Sequence, residues 1–151
     1  TRDNKLFRNY MTTAVLIPTD NVKEAEPFVL ESIDKALKYS GNHYNLKDVM
    51  DSIYDNKAQL WILWNEDKKD KYQGCIVSKV ITRPNTRSLN LFIVTGKNRK
   101  LWQDKIEIIE KWGKQQGCTH LETYARPGWS RILKQHNYKV THYLLERKLE
   151  E

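Results

Sequence analysis

The chain has 151 residues, enough for one domain with a substantial core, and its 39% hydrophobic and 30% charged residues are typical of a globular protein. None of its apolar runs approaches the length needed to span a membrane. The net charge of +7 permits nucleic acid or a phosphorylated cofactor as a partner, but 19 acidic residues are interleaved with 26 basic ones, which disfavours a dedicated nucleic-acid face.

The first eleven residues are polar and basic and follow no clear period. We interpret residues 1–11 as an extension, an engineered leader or an arm that binds a neighbouring molecule. Residues 12–151 are expected to form a single domain. This domain should begin with a strand over residues 12–17, which Pro18 ends.

Two helices are predicted after the first strand. Asn21 and Glu24 have the spacing of a capping box, but Pro27 should either delay the start of the helix to about Glu26 or kink it. Asn45 is placed to cap a second, shorter helix. Three aromatic residues near the junction of the helices are expected to pack together or, alternatively, to line a substrate mouth: Tyr39, His43 and Tyr44.

A meander of three antiparallel strands is predicted next. Its first strand covers residues 60–64, and a turn whose charges nearly cancel separates it from the second, residues 72–82. Gly74 within the second strand indicates a bulge or a close approach of another backbone segment. The third strand covers residues 88–94.

The strand over residues 88–94, the loop over 95–99 and a helix over 100–116 form the unit around which the chain is organised. Gly117 is placed to end the helix in a left-handed conformation. Because the loop is cationic and precedes a helix N-terminus, its free N–H groups and the helix dipole should favour a phosphate group. A plain strand–helix–strand core with nothing bound is the alternative. The apolar stripe of the helix comprises Trp102, Ile106, Ile109 and Gly113, widened by Ile108 and Trp112.

A parallel return strand is predicted over residues 119–124, and its alternation brings His120, Glu122 and Tyr124 to one face. A short helix around Leu133 should follow, and residues 138–149 alternate strongly enough to form a last strand. The element order is strand, two helices, three-strand meander, helix, strand, helix, strand. This order predicts an α+β or α/β fold with a mixed sheet.

The two cysteines, Cys75 and Cys118, are not part of a CxxC motif or a histidine cluster. Neither zinc nor a disulfide framework is therefore indicated, and we expect no metal cofactor and two small thiols buried in strands. No secretory segment opens the chain, so an intracellular or intravirion setting is expected.

The element order resembles that of the GNAT superfamily, the acetyl-CoA-dependent N-acetyltransferases, over nearly the whole chain after Met11. The segments that carry the resemblance are LNLFIV, the helix with Ile106, Ile109 and Gly113, GCTHLETYA and RPGWSRILKQHNY. The resemblance implies a mixed, mostly antiparallel sheet flanked by helices, with the pantetheine of acetyl-CoA between separated elements. It also implies transfer of an acetyl group from acetyl-CoA, the co-substrate, to an amine.

By this resemblance the chain departs from the family at three places, one of which is a short ending: the family usually has two strands after the helix around Leu133, and about a dozen residues remain here. The family's pyrophosphate loop has small residues where this chain has Lys100 and Trp102. Lys97 could correspond to the basic residue at the first position of that loop. Leu133 occupies the position of the family's general-acid tyrosine. The cofactor-binding residues that the resemblance implies are Val94, Thr95, Gly96, Lys97, Asn98, Arg99 and Lys100.

The catalytic groups would then have to come from the return strand. His120 or Glu122 could deprotonate the substrate ammonium, and Tyr124 could protonate the leaving thiolate. The alternative is that these three side chains face solvent at the surface of the sheet.

The departures resemble the degenerate GNAT-like proteins of short-tailed phages, some of which serve in virion assembly. Two functions therefore follow from the resemblance. The first is an acyl-CoA-dependent N-acyltransferase acting on an unidentified amine. The second is a catalytically degenerate GNAT-fold phage protein that acts in virion assembly or host interaction, in the host cytoplasm or the virion. A third hypothesis, a basic nucleic-acid-binding module, rests on the positive net charge alone.

Overall fold

The computed structural model describes residues 12–39, 43–97, 100, 103–125 and 127–149. The interpretation of residues 1–11 and the placement of Trp102 on the apolar stripe concern residues outside these ranges. So do the implied cofactor contacts of Asn98 and Arg99.

Within these ranges nine helices and strands follow the predicted order up to the last helix, and short 3-10 turns precede the first and third helices. They are β1 Thr12–Leu16, α1 Val22–Leu37, α2 Leu46–Tyr54, β2 Gln59–Asn65, β3 Tyr72–Thr82, β4 Arg87–Gly96, α3 Ile106–Gln115, β5 His120–Thr123 and α4 Pro127–Gln135. The predicted α+β class with a mixed, mostly antiparallel sheet is confirmed.

The sheet has the order β1-β2-β3-β4-β5, with antiparallel pairing from β1 to β4 and parallel pairing of β4 with β5. One core lies between α1, α2 and one face of the sheet, and it includes Ile33, Ile53 and Val77. The second core lies between α3 and the other face and includes Leu89 and Ile109. The central strands read as apolar on both faces because both faces are covered.

The strand β4 is longer than predicted, and this moves two of the implied cofactor-binding residues out of the loop. Thr95 and Gly96 belong to β4, where they face Cys75 and Gly74 of β3. The backbone N–H of Lys97 then donates to the carbonyl of Gln73 at 2.7 Å, which extends the ladder by one bond. The predicted loop over residues 95–99 therefore begins at Lys97.

The helix α1 begins at Val22, before Pro27, and the predicted capping box and delayed start are wrong. The side chain of Asn21 makes no capping hydrogen bond. Val22 and Ala25 are buried in the core, so tertiary packing outweighs the hydrogen bond that Pro27 cannot donate. The predicted cap of α2 is confirmed, since Asn45 accepts from the N–H of Asp48 at 2.8 Å.

The helix α3 begins at Ile106, later than predicted, after a 3-10 turn over Gln103–Lys105. Its end is as predicted, because Gly117 adopts φ +80° and Cys118 donates to the carbonyl of Gly113 at 2.9 Å. Ile108 does not widen the apolar stripe, since its side chain is exposed.

The predicted last strand is wrong: residues 138–149 have no regular secondary structure. Alternation of side chains favours a strand only if a neighbouring backbone completes the ladder. Within the described ranges β5 pairs with β4 alone, so this segment has no ladder partner. Tyr143, Leu144 and Leu145 are consequently exposed.

The two cysteines are free, Cys75 fully buried in β3 and Cys118 half-buried after α3. Burial raises the pKa of the Cys75 thiol to about 12. No set of three or more potential metal ligands occurs among the described residues. None of the helices in these ranges is long and apolar enough to cross a membrane.

Candidate functional site

The strands β4 and β5 are neighbours over only part of their length. Their pairing ends at Leu91 with Thr123, whereas β4 continues to Gly96. A bulge follows Leu91 directly, because Val77 of β3 faces Ile93 while the next residue of β3 faces Leu91, which leaves Phe92 as the extra residue. A bulge bends and twists its strand. Beyond Leu91 the edge of β4 therefore faces no described strand, and we call this unpaired edge the opening between β4 and β5.

Gly74 and Lys97 hold the end of β4 against the β2–β3 hairpin. Gly74 has φ +156° and lies against the backbone of Thr95 and Gly96, where a side chain would have no room. The ammonium of Lys97 forms an ion pair with the carboxylate of Asp70, on the hairpin turn. Lys97 thus has an anionic partner within the protein, in the place where the sequence suggested a phosphate contact.

The start of α3 carries negative charge. Asp104 and Glu107 lie in its first turns, where the positive end of the helix dipole already favours them. They also line a narrow groove between α3 and α4, together with Glu110. Lys100 is exposed just before this turn. The carboxylates offset part of the attraction that this helix terminus would exert on a phosphate.

Three polar side chains form a row across the sheet at the point where β4 and β5 begin to separate. Lys79 of β3 is the register partner of Asn90 of β4, and Asn90 is the partner of Glu122 of β5. The Nδ2 of Asn90 donates to Oε1 of Glu122 at 2.9 Å. Lys79 alternates with Val77, so the row lies on the face that α1 and α2 cover.

The carboxylate of Glu122 is held by Arg83, which follows β3. The guanidinium donates from Nη2 to Oε1 at 2.9 Å and from Nη1 to Oε2 at 3.1 Å. Hydrogen bonds from Arg83, and then from Asn90, hold the pKa of Glu122 below its usual range, although partial burial acts in the opposite sense. Glu122 is therefore ionised at neutral pH but is a weakened base.

The lowered pKa of Glu122 should make part of the stability depend on pH. A carboxyl whose folded-state pKa lies below its usual 4.5 stabilises the fold above that pH, and this contribution is lost as the pH falls through the folded-state pKa. We expect Glu122→Gln to lower the melting temperature near pH 7 and to have a smaller effect near about pH 3. The control is Glu31→Gln, on an exposed position of α1. An equal loss at both pH values would contradict the pairing.

The other two candidate catalytic residues are exposed. His120 begins β5, and its Nδ1 lies 2.8 Å from the hydroxyl of Thr119. Tyr124 follows the end of β5, and 79% of its surface is accessible. Leu133, which the sequence resemblance matched to a general-acid tyrosine, is buried. His120 and Glu122 thus share the strand that flanks the opening, and Tyr124 comes directly after it.

Sequence reasoning missed three residues of this site: Lys79, Arg83 and Asn90. Two signals were present in the sequence. Lys79 interrupts the apolar alternation of Cys75 and Val77, and Asn90 interrupts the apolar run of β4. A polar residue at an apolar position of a central strand is costly unless it is hydrogen-bonded, so it indicates a structural or functional partner.

The ammonium of Lys79 lies over two aromatic rings. Its Nζ is 5.2 Å from the ring centre of Tyr44 and 5.0 Å from that of Phe92, and it donates to the Tyr44 hydroxyl at 3.2 Å. The two rings are themselves in contact, with centres 6.0 Å apart. Tyr44 therefore packs against the bulged residue of β4, and both sequence alternatives for it remain compatible with this position.

No protein-family model and no curated protein matches the chain. Solved structures of acetyltransferases are similar to it in fold. A Trypanosoma brucei acetyltransferase is 8% identical with a TM-score of 0.62, covering 91% of this chain and 99% of that chain. A probable acetyltransferase is 7% identical with a TM-score of 0.65 and the same coverage.

A third similar structure is an aminoglycoside acetyltransferase from an uncultured soil metagenomic sample, in complex with sisomicin. It is 11% identical with a TM-score of 0.61, covering 93% of this chain and 99% of that chain. At such low identity these similarities show the fold alone, which is GNAT-like.

Proposed function

We propose that this protein is a GNAT-like N-acyltransferase that transfers an acetyl group from acetyl-CoA to an amine. The observation that carries the proposal is the opening between β4 and β5 after Leu91, beside the polar row that contains Glu122. Fold similarity to acetyltransferases supports the reaction class.

The edge of β4 beyond Leu91 suits an extended amide-containing chain. No described strand pairs with that edge over Val94–Gly96, so its N–H and C=O groups are available to the two amides of a pantetheine arm. Acetyl-CoA would therefore lie along Val94 and Thr95 with its thioester near Phe92. Its pyrophosphate would lie beyond Gly96, toward Lys97 and Lys100.

The acceptor amine must lose a proton before its lone pair attacks the thioester carbonyl carbon. His120 and the ionised Glu122 are the bases on the strand that flanks the opening, and a bridging water would extend the reach of either. The carbon–sulfur bond then breaks, and the thiolate takes a proton. Tyr124, which directly follows the same strand, would donate this proton from its phenol group.

The pyrophosphate contact can be tested by removing cations from the loop after β4. We expect Lys97→Ala combined with Arg99→Ala to weaken acetyl-CoA binding at least tenfold, about 1.4 kcal/mol, without unfolding the domain. The loss should shrink with added salt because Lys97 is half exposed. Isothermal titration with acetyl-CoA measures the effect, and dephospho-CoA serves as the control ligand.

Asp70 offers a matched variant for this experiment. Asp70→Asn removes the carboxylate that pairs with Lys97. When this single change is made in the parent protein, acetyl-CoA affinity should rise. The same change should have no effect on affinity after Lys97→Ala. Acetyl transfer that survives the double alanine change at unaltered KM would contradict this account of the loop.

A second candidate is a protein that keeps the fold without catalysis and acts by binding a partner. Three observations favour it: Lys97 is paired with Asp70, carboxylates lie at the start of α3, and Leu133 is buried where a phenol is expected. Acetyl-CoA binding without turnover on a panel of amines, aminoglycosides included, would support it. The phage setting of this candidate has no support from the similar structures described above.

A further inference from the structure

The ammonium of Lys79 has no carboxylate partner within the described part of the chain. Its contacts there are the Tyr44 hydroxyl and the rings of Tyr44 and Phe92. Such contacts orient a cation and attract it to the faces of the rings, but they do not neutralise its charge. Lys79 is thus a positioned positive charge beside the opening in the sheet.

Asn90, the register partner of Lys79, has an unused hydrogen-bond acceptor. Asn90 is 2% exposed, its Nδ2 donates a hydrogen bond to Glu122, and its Oδ1 has no donor among the described residues. A buried acceptor without a donor is destabilising, because it has lost its hydrogen bonds to water and gained none in return. Such groups are rare in folded proteins, and one beside a candidate site suits a donor on a ligand.

The charges around the row do not balance. Lys79 and Arg83 supply two positive charges against the single carboxylate of Glu122, which Arg83 and Asn90 already occupy. The described carboxylate in the C-terminal segment is that of Glu146, which lies 2.9 Å from Nε2 of His43, the residue before Tyr44 in the chain. Among the described residues, the ammonium of Lys79 therefore has no carboxylate to balance it, and its register partner Asn90 has an unused acceptor.

We propose that the row selects an acceptor amine that also carries an anionic group, a carboxylate or a phosphate. The amine N–H donates to Oδ1 of Asn90 after a small side-chain adjustment, and the anionic group binds the ammonium of Lys79. This inference rests on the proposed function, since it names the acceptor class of the same site. It also disfavours polycationic acceptors, because the free cation repels them.

The test compares amines that differ only in the anionic group: glycine with glycinamide, and phosphoethanolamine with ethanolamine. Spermidine represents the polycations. Binding of each is measured by isothermal titration with and without coenzyme A, and acetyl transfer from acetyl-CoA is followed by thiol release. We expect the anionic member of each pair to bind at least tenfold more tightly, and the two pairs separate carboxylate from phosphate recognition.

Variants at Lys79 assign the preference to this side chain. Lys79→Met keeps a long stem against the rings and should bring the affinities within each pair together. Lys79→Arg keeps the charge and should retain the preference. Lys69→Met, an exposed position on the hairpin turn, makes the same change in net charge and should leave the preference intact.

Each remaining outcome has a definite meaning. Equal binding within the pairs, tighter binding of spermidine, no binding of any amine, or the same loss in Lys69→Met would overturn the inference. Binding of the anionic amines that depends on Lys79, in a protein that neither binds acetyl-CoA nor transfers acetyl, would support the anionic-amine site and refute the proposed function instead.

Discussion

Gly74→Ala should lower the free energy of unfolding by about 3 kcal/mol. A Cβ at this position would collide with the carbonyl oxygen of Thr95 and the Cα of Gly96. Both of these are backbone atoms, which cannot rotate away as a side chain would. The end of β4 must therefore shift, and its pairing with β3 at Gly74 and Cys75 would weaken.

Chemical denaturation of the parent and the variant measures this effect, and Gly117→Ala is the control. Gly117 also has a positive φ, but its nearest contacts are side-chain atoms of Arg87 at 3.9 Å. The control should thus report only the conformational strain, roughly 1–2 kcal/mol. If the two variants were equally stable, the close approach of β3 and β4 would not be the cause.

Gly74→Ala should also affect ligand binding if the proposed function holds. The shift of Thr95 and Gly96 moves the edge along which pantetheine would lie. Affinity for acetyl-CoA should therefore fall in the folded fraction of the variant, whereas Gly117→Ala should leave it unchanged. This comparison separates loss of stability from loss of the ligand path.

Gly113→Leu should destabilise the protein by roughly 1–3 kcal/mol. At Gly113 α3 passes close to the sheet, and a Cβ there would lie 3.1 Å from Cδ2 of Leu89. A larger side chain would push α3 away from β4 and separate Ile109 from the core that it shares with Leu89. Thermal unfolding followed by circular dichroism measures the loss.

Gly128→Leu, in the first turn of α4, is the control for replacing a helical glycine. A Cβ at Gly128 would meet no atom within 4 Å, so the variant should be neutral or slightly more stable. Unchanged stability of Gly113→Leu would contradict the packing of α3 against β4.

The sequence and the structure agree best where a signal is local. The predicted cap at Asn45 and the predicted left-handed conformation of Gly117 each depend on a few neighbouring residues, and both are present. The capping box at Asn21 is absent because burial of Val22 and Ala25 sets where α1 begins. Burial is a tertiary effect that no local pattern reports.

The last predicted strand shows the same limit. Residues 138–149 alternate like a half-buried strand, yet a strand exists only when another backbone accepts its hydrogen bonds. The pattern of side chains does not reveal whether such a backbone is adjacent. The bulge at Phe92 is likewise set by the register of β4 against β3.

By itself, the amino-acid sequence determined the order of the elements up to α4 and the mixed sheet. It also determined that His120 and Glu122 lie on the same face of one strand. These features depend on periodicity and caps, which act within a few residues. Only the tertiary structure decided that Arg83 forms an ion pair with Glu122 and that Asp70 forms one with Lys97. It also decided that Lys79 and Asn90 are neighbours. Strand register makes Lys79 and Asn90 neighbours, whereas the turns beside the strands bring Arg83 and Asp70 to their partners. Because these pairs are distant in sequence, no local pattern reveals them.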